Sequence, residues 1–313
     1  MSDVELTVTV TGPVATVVIR NPARRNAMTS AMWRQLPVLL DGIEADPAVY
    51  ALVLTGAGGT FCAGADLGDL DDLLDAGDDS IAVAAEERLA SFAKPTVAAI
   101  EGACVGGGCQ LAVACDLRLA AADARFGVPP ARLGLVYPAP TTRRLARLVG
   151  PSAAKHLLFT GELVDAERAL RIGLVDEVLP AEALADRVSA LTAAVAERSR
   201  LTVAAAKEII DGRADDARVA WWHGQVRASG EAREGWRRPT SAGRRASAGR
   251  RPPAADQMFL APRRGRTPDA APRARRPARH RPASATQVGV TGSRRSGMSA
   301  SAGVRSPLRW LHS

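Results

Sequence analysis

The chain has 313 residues, of which 47% are hydrophobic and 24% charged, so it is long enough for one large domain or two small ones. Its net charge of +8 is distributed unevenly: residues 236–313 contain 18 arginines against two aspartates and carry +16, which leaves −8 on the residues before them. The basic isoelectric point therefore describes the C-terminal segment and not the partners of the rest of the chain.

The composition also argues against three classes of protein. No uncharged apolar stretch approaches the ~18 residues that a membrane span needs, so we expect no membrane partner. The first residues contain neither the basic region nor the apolar run of an export signal, and we therefore expect a cytoplasmic location. The cysteines lie in apolar runs without zinc-ligand spacing, so we expect reduced packing thiols and no metal site. They are Cys62, Cys104, Cys109 and Cys115.

The N-terminal part of the chain predicts alternating strands and helices. Two apolar runs at 4–10 and 14–19, separated by Gly12 and Pro13, indicate a β-hairpin. Thr29 is expected to cap a helix whose apolar residues recur at helical spacing. A buried strand over 50–55 and a glycine-rich loop follow, and then a short helix over 66–74, a turn at 77–79 and a helix over 81–92.

Three consecutive glycines, 106–108, lie between an apolar strand over 96–100 and an apolar helix that ends near 115. A glycine turn that leads into a helix leaves several backbone N–H groups unpaired and directed at one spot, which the helix dipole makes attractive to negative charge. We therefore expect an anion or oxyanion site with Gly107 as a donor. The turn alone leaves phosphate binding and tight packing open as alternatives.

The remaining elements are a strand over 117–120 and helices near 141–149, 151–159, 165–171, 181–198 and 201–212, which together indicate an α/β fold. Residues 236–313 are rich in Arg, Pro, Ala, Ser and Gly and cannot bury enough apolar surface to offset their chain entropy. Two interpretations of this tail remain open: a frame-shifted readout of GC-rich DNA, or a disordered basic extension. Its arginines accompany no nucleic-acid-binding motif, so we do not expect nucleic acid as a partner.

Two motifs about forty residues apart, Phe-Cys-Ala-Gly-Ala-Asp-Leu at 61–67 and Gly-Gly-Gly-Cys-Gln-Leu at 106–111, resemble those of the crotonase family, the enoyl-CoA hydratases and isomerases. Further matches in family order lie at 21–28, 115–121, 126–134 and 160–175. The resemblance covers about residues 4–235. It implies an α/β fold with a crotonase-like ββα spiral core over 1–200 and a helical trimerisation region over 201–235. It also implies a homotrimer or hexamer, and this assembly would be weakened if the tail replaces the terminal helix.

The resemblance also implies an acyl-CoA substrate whose thioester oxygen is held by two backbone N–H groups, those of Ala65 and Gly107. Such donors stabilise the negative charge of an enolate, and losing one can cost on the order of 10²–10³ in rate. No cofactor is implied, since coenzyme A is part of the substrate. The positions implied in binding CoA are Arg24, Arg25, Ala27, Ala63, Ala65, Asp66, Leu67, Gly68 and Gly107.

The sequence departs from the family at the two catalytic glutamates. Gln110 stands where the first glutamate normally follows the glycines, and Pro130 stands at the second position. Neither side chain can exchange a proton near neutral pH, which general acid–base catalysis requires.

Three interpretations of this departure remain open. The first is a hydratase or isomerase whose proton carrier lies elsewhere, with Asp69 as a candidate. The second is decarboxylation of a malonyl-type CoA, which needs no base; the segment 130–137 is similar to that of methylmalonyl-CoA decarboxylases, so Tyr137 would orient the carboxylate or protonate the enolate. The third is a non-catalytic acyl-CoA-binding protein.

Overall fold

The computed structural model describes residues 4–66, 68 and 79–231. The helix expected after Asp66, the candidate Asp69, the CoA-binding position Leu67 and the tail over 236–313 lie outside the described residues. The chain divides into two units, Met1–Arg238 and Pro239–Ser313, and everything described below belongs to the first. Within the described ranges, no helix is both long and apolar enough to cross a lipid bilayer.

A six-stranded sheet forms the centre of the fold, and a three-stranded sheet lies beside it. The strands in chain order are β1 (Glu5–Thr11), β2 (Val14–Arg20), β3 (Ala51–Gly56), β4 (Thr96–Ile100), β5 (Ala103–Val105), β6 (Leu117–Ala121), β7 (Arg125–Gly127), β8 (Val164–Asp165) and β9 (Glu177–Leu179). The large sheet has the order β1-β2-β3-β4-β6-β9 and is parallel except for the β1–β2 hairpin, and the small sheet has the order β5-β7-β8.

The described helices connect these strands and complete the C-terminal part of the fold. In chain order they are α1 (Ser30–Ala45), α2 (Ile81–Ala90), α3 (Gly107–Ala114), α4 (Pro130–Leu133), α5 (Ala139–Thr160), α6 (Ala166–Arg171), α7 (Ala181–Ala196), α8 (Arg200–Ile210) and α9 (Asp216–Ser229). α2 packs against α1, α3 and α5, and α7 packs against the sheet. The mixture of a mostly parallel sheet with helices confirms the predicted α/β class.

The local signals in the sequence explain the N-terminal elements. The predicted hairpin is confirmed, with Leu6 opposite Ile19. Thr29 caps α1 as predicted, since its hydroxyl accepts a hydrogen bond from the Met32 amide. Met32, Leu36 and further residues of one helix face are buried against the core, so the cap and the apolar stripe both determine where α1 begins and which face it buries.

Several short elements differ from the prediction. β5 interrupts the path from β4 to the glycines, and the small sheet contains only strands of two or three residues, which are too short to show a period. The helices expected near 141–149 and 151–159 are joined as α5, with a break at Gly150, whose φ is 79°. α9 was not predicted as a separate helix.

A partly buried ion pair connects α8 to the centre of the fold. The Lys207 ammonium lies 2.7 Å from the Asp116 carboxylate and also donates to the Lys94 carbonyl. The same carboxylate accepts from the Thr96 amide, so one aspartate connects α8 to β4 and to the end of α3. The Lys207 side chain is 7% exposed and that of Asp116 is 27% exposed, so removing Asp116 would leave a buried ammonium group without its counter-charge.

Candidate active site

The loop after β3 is held against the segment before α1 by backbone hydrogen bonds. Met28 donates to the Gly64 carbonyl at 2.7 Å, and Asp66 donates to the Met28 carbonyl at 2.8 Å. Ala65 lies between these two bonds and forms a parallel bridge with Met28. The two hydrogen bonds to Met28 are made by the Gly64 carbonyl and the Asp66 amide. Because successive peptide groups of an extended chain point in opposite directions, the Ala65 N–H faces away from Met28.

The glycines before α3 pack tightly against the same loop. Gly106 has a φ of 58° and donates to the Gly127 carbonyl, which ties the turn to the end of β7. A Cβ at Gly108 would lie 2.2 Å from the Cys62 carbonyl oxygen, so no larger residue fits at this position without movement of the backbone. The two loops can therefore approach this closely only because residue 108 has no side chain.

The amides of Ala65 and Gly107 are brought close together by this packing. A Cβ built on Gly107 would lie 3.7 Å from the Ala65 amide nitrogen. Neither N–H donates to an acceptor in the part of the chain that the structure describes. Gly107 is the first residue of α3, where backbone N–H groups lack partners and the dipole favours negative charge.

Two buried asparagines hold the segment 21–28 in position. The Asn26 side-chain amide donates to the carbonyls of Ala57 and Thr60, and its oxygen accepts from the Asn21 backbone. Asn21 in turn donates to the Ala27 carbonyl. Asn26 has a φ of 58°, which asparagine tolerates better than most residues. The sequence analysis used this motif only for the resemblance and did not predict its structural role.

The described positions that the resemblance implies in CoA binding form one neighbourhood. The Arg24 guanidinium lies 3.6 Å from the Asp66 carboxylate, and its side chain is 63% exposed. The Arg25 carbonyl accepts from the Ala63 amide at 3.0 Å. Gly68 donates to the same Asp66 carboxylate. Ala27 is buried beneath this surface. The ion pair with Asp66 was not predicted, and it gives Arg24 a partner within the protein.

The two positions without glutamate are both buried. Gln110 lies in α3 and is 1% exposed, with no hydrogen-bond partner for either side-chain amide atom among the described residues. Pro130 begins α4, three residues after Gly127, the acceptor for Gly106. Tyr137 packs against the core, and a Cβ built on Gly106 would lie 3.2 Å from its hydroxyl. The structure therefore brings Tyr137 to the glycine turn.

The sequence analysis missed two polar side chains near this turn. A Cβ built on Gly107 would lie 3.1 Å from a ring carbon of Trp33, whose buried Nε1 has no partner among the described residues. Glu86 of α2 is 3% exposed, and its Oε2 likewise has no partner there. The sequence analysis gave neither residue a role, because no motif or spacing in the sequence marks either of them.

Burial alters the proton affinities of several groups in this region. Loss of hydration raises the pKa of Glu86 to about 8, although the neighbouring Arg144 opposes the shift. Burial, and then the nearby Glu86 carboxylate, raise the pKa of the Tyr137 phenol well above its usual range. Burial also raises the pKa of the Cys62 and Cys115 thiols to about 12, so neither is a thiolate near neutral pH.

Cysteines and potential metal ligands are buried or dispersed in the described ranges. The four cysteines are buried free thiols, in agreement with their predicted packing role. No group of three or more His, Cys, Asp or Glu residues is arranged there to hold a metal ion.

Comparison with known proteins identifies the family. The sequence model of the enoyl-CoA hydratase/isomerase family matches residues 9–234. The chain is 35% identical over 204 residues to the short-chain-enoyl-CoA hydratase of Clostridium acetobutylicum, which covers 64% of this chain and 78% of the relative. It is also 35% identical over 198 residues to the crotonyl-CoA hydratase of Syntrophomonas wolfei, covering 62% and 76% of the two chains.

A solved structure agrees with this result. The enoyl-CoA hydratase/carnithine racemase from Magnetospirillum magneticum matches with a TM-score of 0.68 and 30% identity, over 76% of this chain and 94% of the other. The predicted crotonase-type fold is thus confirmed. The chain belongs to the enoyl-CoA hydratase/isomerase family and is an enzyme of that family.

Proposed function

We propose that the enzyme binds an acyl-CoA thioester and stabilises its enolate between the N–H groups of Ala65 and Gly107. The observation that carries this proposal is the approach of two unpaired amides from separate loops, one of them at the start of a helix. Donors that are fixed before the reaction stabilise developing charge without reorganising, which is the basis of oxyanion-hole catalysis. No cofactor other than the CoA of the substrate takes part in this chemistry.

The CoA moiety lies along the surface formed by the segment 24–28 and the loop 63–68 in this proposal. The exposed Arg24 guanidinium offers a charge-assisted contact to a phosphate, in exchange for its pair with Asp66. Arg25 adjoins it, and the backbone around Ala63 offers carbonyl acceptors to the adenine amino group. The exposed position of Arg24 favours its role in binding over a role in stability.

Decarboxylation of a malonyl-type CoA is a second candidate, favoured by the position of Tyr137. Its hydroxyl lies beside Gly106, next to the proposed donor Gly107. The raised pKa keeps the phenol protonated, so it can donate a hydrogen bond to a carboxylate or a proton to an enolate. Loss of CO₂ leaves an enolate without any base, and the same pair of amides would stabilise it.

Two substrates test the proposal. Purified protein is incubated separately with crotonyl-CoA and methylmalonyl-CoA, and CoA binding is measured by calorimetry. Hydration of crotonyl-CoA supports the first candidate, and CO₂ release from methylmalonyl-CoA supports the second. Binding without turnover of either substrate, and without exchange of an α-proton, would contradict an enolate-forming enzyme.

We also propose a homotrimer or hexamer and a cytoplasmic location. Exposed apolar side chains in the C-terminal helices support self-association, notably Ile210 at 82% exposure and Trp221 at 43%. Light scattering on the purified full chain tests the assembly, and cell fractionation tests the location. A monomer at micromolar concentration would contradict the first proposal.

A further inference from the structure

Glu86 is the only aspartate or glutamate in the described part of the chain whose side chain is buried. It lies on α2, which packs against α3, the helix that begins at Gly107. Its buried Oε2 atom has no hydrogen-bond partner among the described residues. A buried carboxyl oxygen without a hydrogen bond destabilises a fold, so packing and stability do not account for it.

The surroundings of Glu86 place it near the proposed enolate site. The Tyr137 phenol is close enough to Glu86 and to Cys109 for both to affect it electrostatically. The same phenol lies beside Gly106, and Cys109 is in the first turn of α3. Glu86 therefore lies on the Tyr137 side of the glycine turn, adjacent to the helix that also bears Gln110.

No cation of the described residues forms an ion pair with the Glu86 carboxyl. Arg144 of α5 is the nearest opposing charge, but its Nη2 binds Glu87, and its Nη1 has no partner in the described ranges. On the α1 side, Arg88 faces Asp41 and Glu44 and pairs with both. From α3 and the loop before α5, the facing titratable groups are Cys109 and Tyr137. Neither a thiol nor a phenol can carry a positive charge, so neither of these groups favours the charged form of Glu86.

We propose that Glu86 is the acid–base residue of this enzyme, and that it performs the proton transfer for which Gln110 and Pro130 are unsuited. This inference rests on the proposed function. The Cα–H bond of the bound acyl-CoA breaks, the proton goes to the Glu86 carboxylate, and the electron pair forms the enolate whose oxygen is held by the Ala65 and Gly107 amides. Return of the proton to Cα gives exchange, and delivery to Cγ of an unsaturated chain moves the double bond.

The direction of the pH dependence follows from this role. Proton abstraction needs the ionised carboxylate, and burial raises the Glu86 pKa to about 8. The exchange rate should therefore rise about tenfold per pH unit in the acidic range and level off above about pH 8. Tyr137 contributes no inflection there, since its pKa is raised far beyond this range.

Exchange of the α-protons of butyryl-CoA in D₂O tests the proposal with the full chain, followed by mass spectrometry. The Glu86→Gln variant keeps the size of the side chain and removes its proton affinity. Exchange should fall by on the order of 10²-fold or more, while the Kd for butyryl-CoA by calorimetry stays within about threefold. The pH profile of the unaltered protein is an independent second measurement, should the variant fail to fold.

The matched control is Glu87→Gln, one residue further on the same helix. Glu87 is exposed, and its charge affects the Glu86 pKa less than burial and Arg144 do. Exchange in this variant should stay within about threefold, because only a surface ion pair is lost.

Two contrary results have different meanings. In the first, the unaltered protein binds butyryl-CoA and exchanges its protons, but the Glu86→Gln variant exchanges equally fast or the pH profile has no inflection near pH 8. This result overturns the role of Glu86 alone. An unaltered protein that does not exchange at all overturns the enolate chemistry itself, and the role of Glu86 with it.

Discussion

The two halves of the candidate site are built on different principles. One half is backbone: the loop at 62–66 and the turn at 106–108 are fixed by main-chain hydrogen bonds and by Gly108, where a larger residue would require the backbone to move. The other half is side chain: Trp33, Glu86 and Gln110 present buried polar atoms without partners among the described residues. The first half matches the family motifs, whereas the second has neither family glutamate.

This difference shows which part of the chemistry is tied to the fold. The amides of Ala65 and Gly107 are positioned by the packing of two loops and not by the buried polar side chains nearby. Proton transfer depends on individual side chains, so a residue at another position around the site can perform it. If the proposed mechanism is correct, the backbone half and the side-chain half should therefore respond separately to substitution.

Gly107→Pro is expected to have the largest effect, because it deletes one donor of the backbone half. Exchange and turnover should fall by on the order of 10³-fold or more. The matched control is Gly107→Ala, which keeps the N–H but places a Cβ 3.1 Å from the Trp33 ring, and a loss of about tenfold is expected. Steady-state kinetics and a thermal melt separate the two effects. Full activity of the proline variant would contradict the oxyanion hole.

Glu86→Gln should stabilise the protein at alkaline pH. With a folded pKa of about 8 against an ordinary 4.5, the native state holds its proton between these values, so wild-type stability falls as pH rises from about 4.5 to 8. The difference corresponds to at most about 5 kcal/mol, and local opening around the charged group reduces it, so we expect a gain of about 2–3 kcal/mol at pH 8.5.

Urea unfolding of the wild type and this variant at pH 5 and pH 8.5 measures the gain. The two proteins should differ least at pH 5, where the glutamate is neutral in the folded state. Equal stability at both pH values would contradict the burial of an unpaired carboxyl group. The Glu87→Gln variant again serves as the control, with no comparable gain at pH 8.5.

Asn26→Ala tests whether the CoA-side segment must be held for the backbone half to work. The variant loses three hydrogen bonds and places alanine at a φ of 58°. We expect a loss of about 1–3 kcal/mol in stability and a rise of about tenfold in KM for an acyl-CoA, since the neighbouring Arg24 and Arg25 shift. Unfolding curves and steady-state kinetics measure the two changes. An unchanged KM in a destabilised protein would show that the asparagine network supports stability but not acyl-CoA binding.

Tyr137→Phe has the smallest expected effect if the enzyme moves protons through Glu86. Exchange and hydration should fall by no more than about tenfold, whereas decarboxylation of methylmalonyl-CoA, if that is the reaction, should fall by on the order of 10²-fold. The other tyrosine of the chain, Tyr50, stacks on Arg200 at the opposite end of β3 from the glycine loop. Tyr50→Phe is therefore the matched control and should leave both rates within about twofold.

The sequence was sufficient to predict the elements that carry long apolar patterns or turn chemistry. Thr29, the β1–β2 hairpin and the glycine turn before α3 were predicted because their signals are local. The small sheet was missed, since two or three residues cannot show a period. Glu86 was missed for a different reason: its burial and the absence of a partner depend on the packing of α2 against three other helices, which no local pattern records.

The link between Lys207 and Asp116 has a practical consequence for shortening the protein. A chain ending at residue 200 would keep every residue of the proposed site but would leave Asp116, just after α3, without its ammonium partner. Such a truncation would destabilise α3, the helix whose first residue is Gly107. Versions trimmed for crystallisation should therefore retain the chain through α9 and be cut only beyond it.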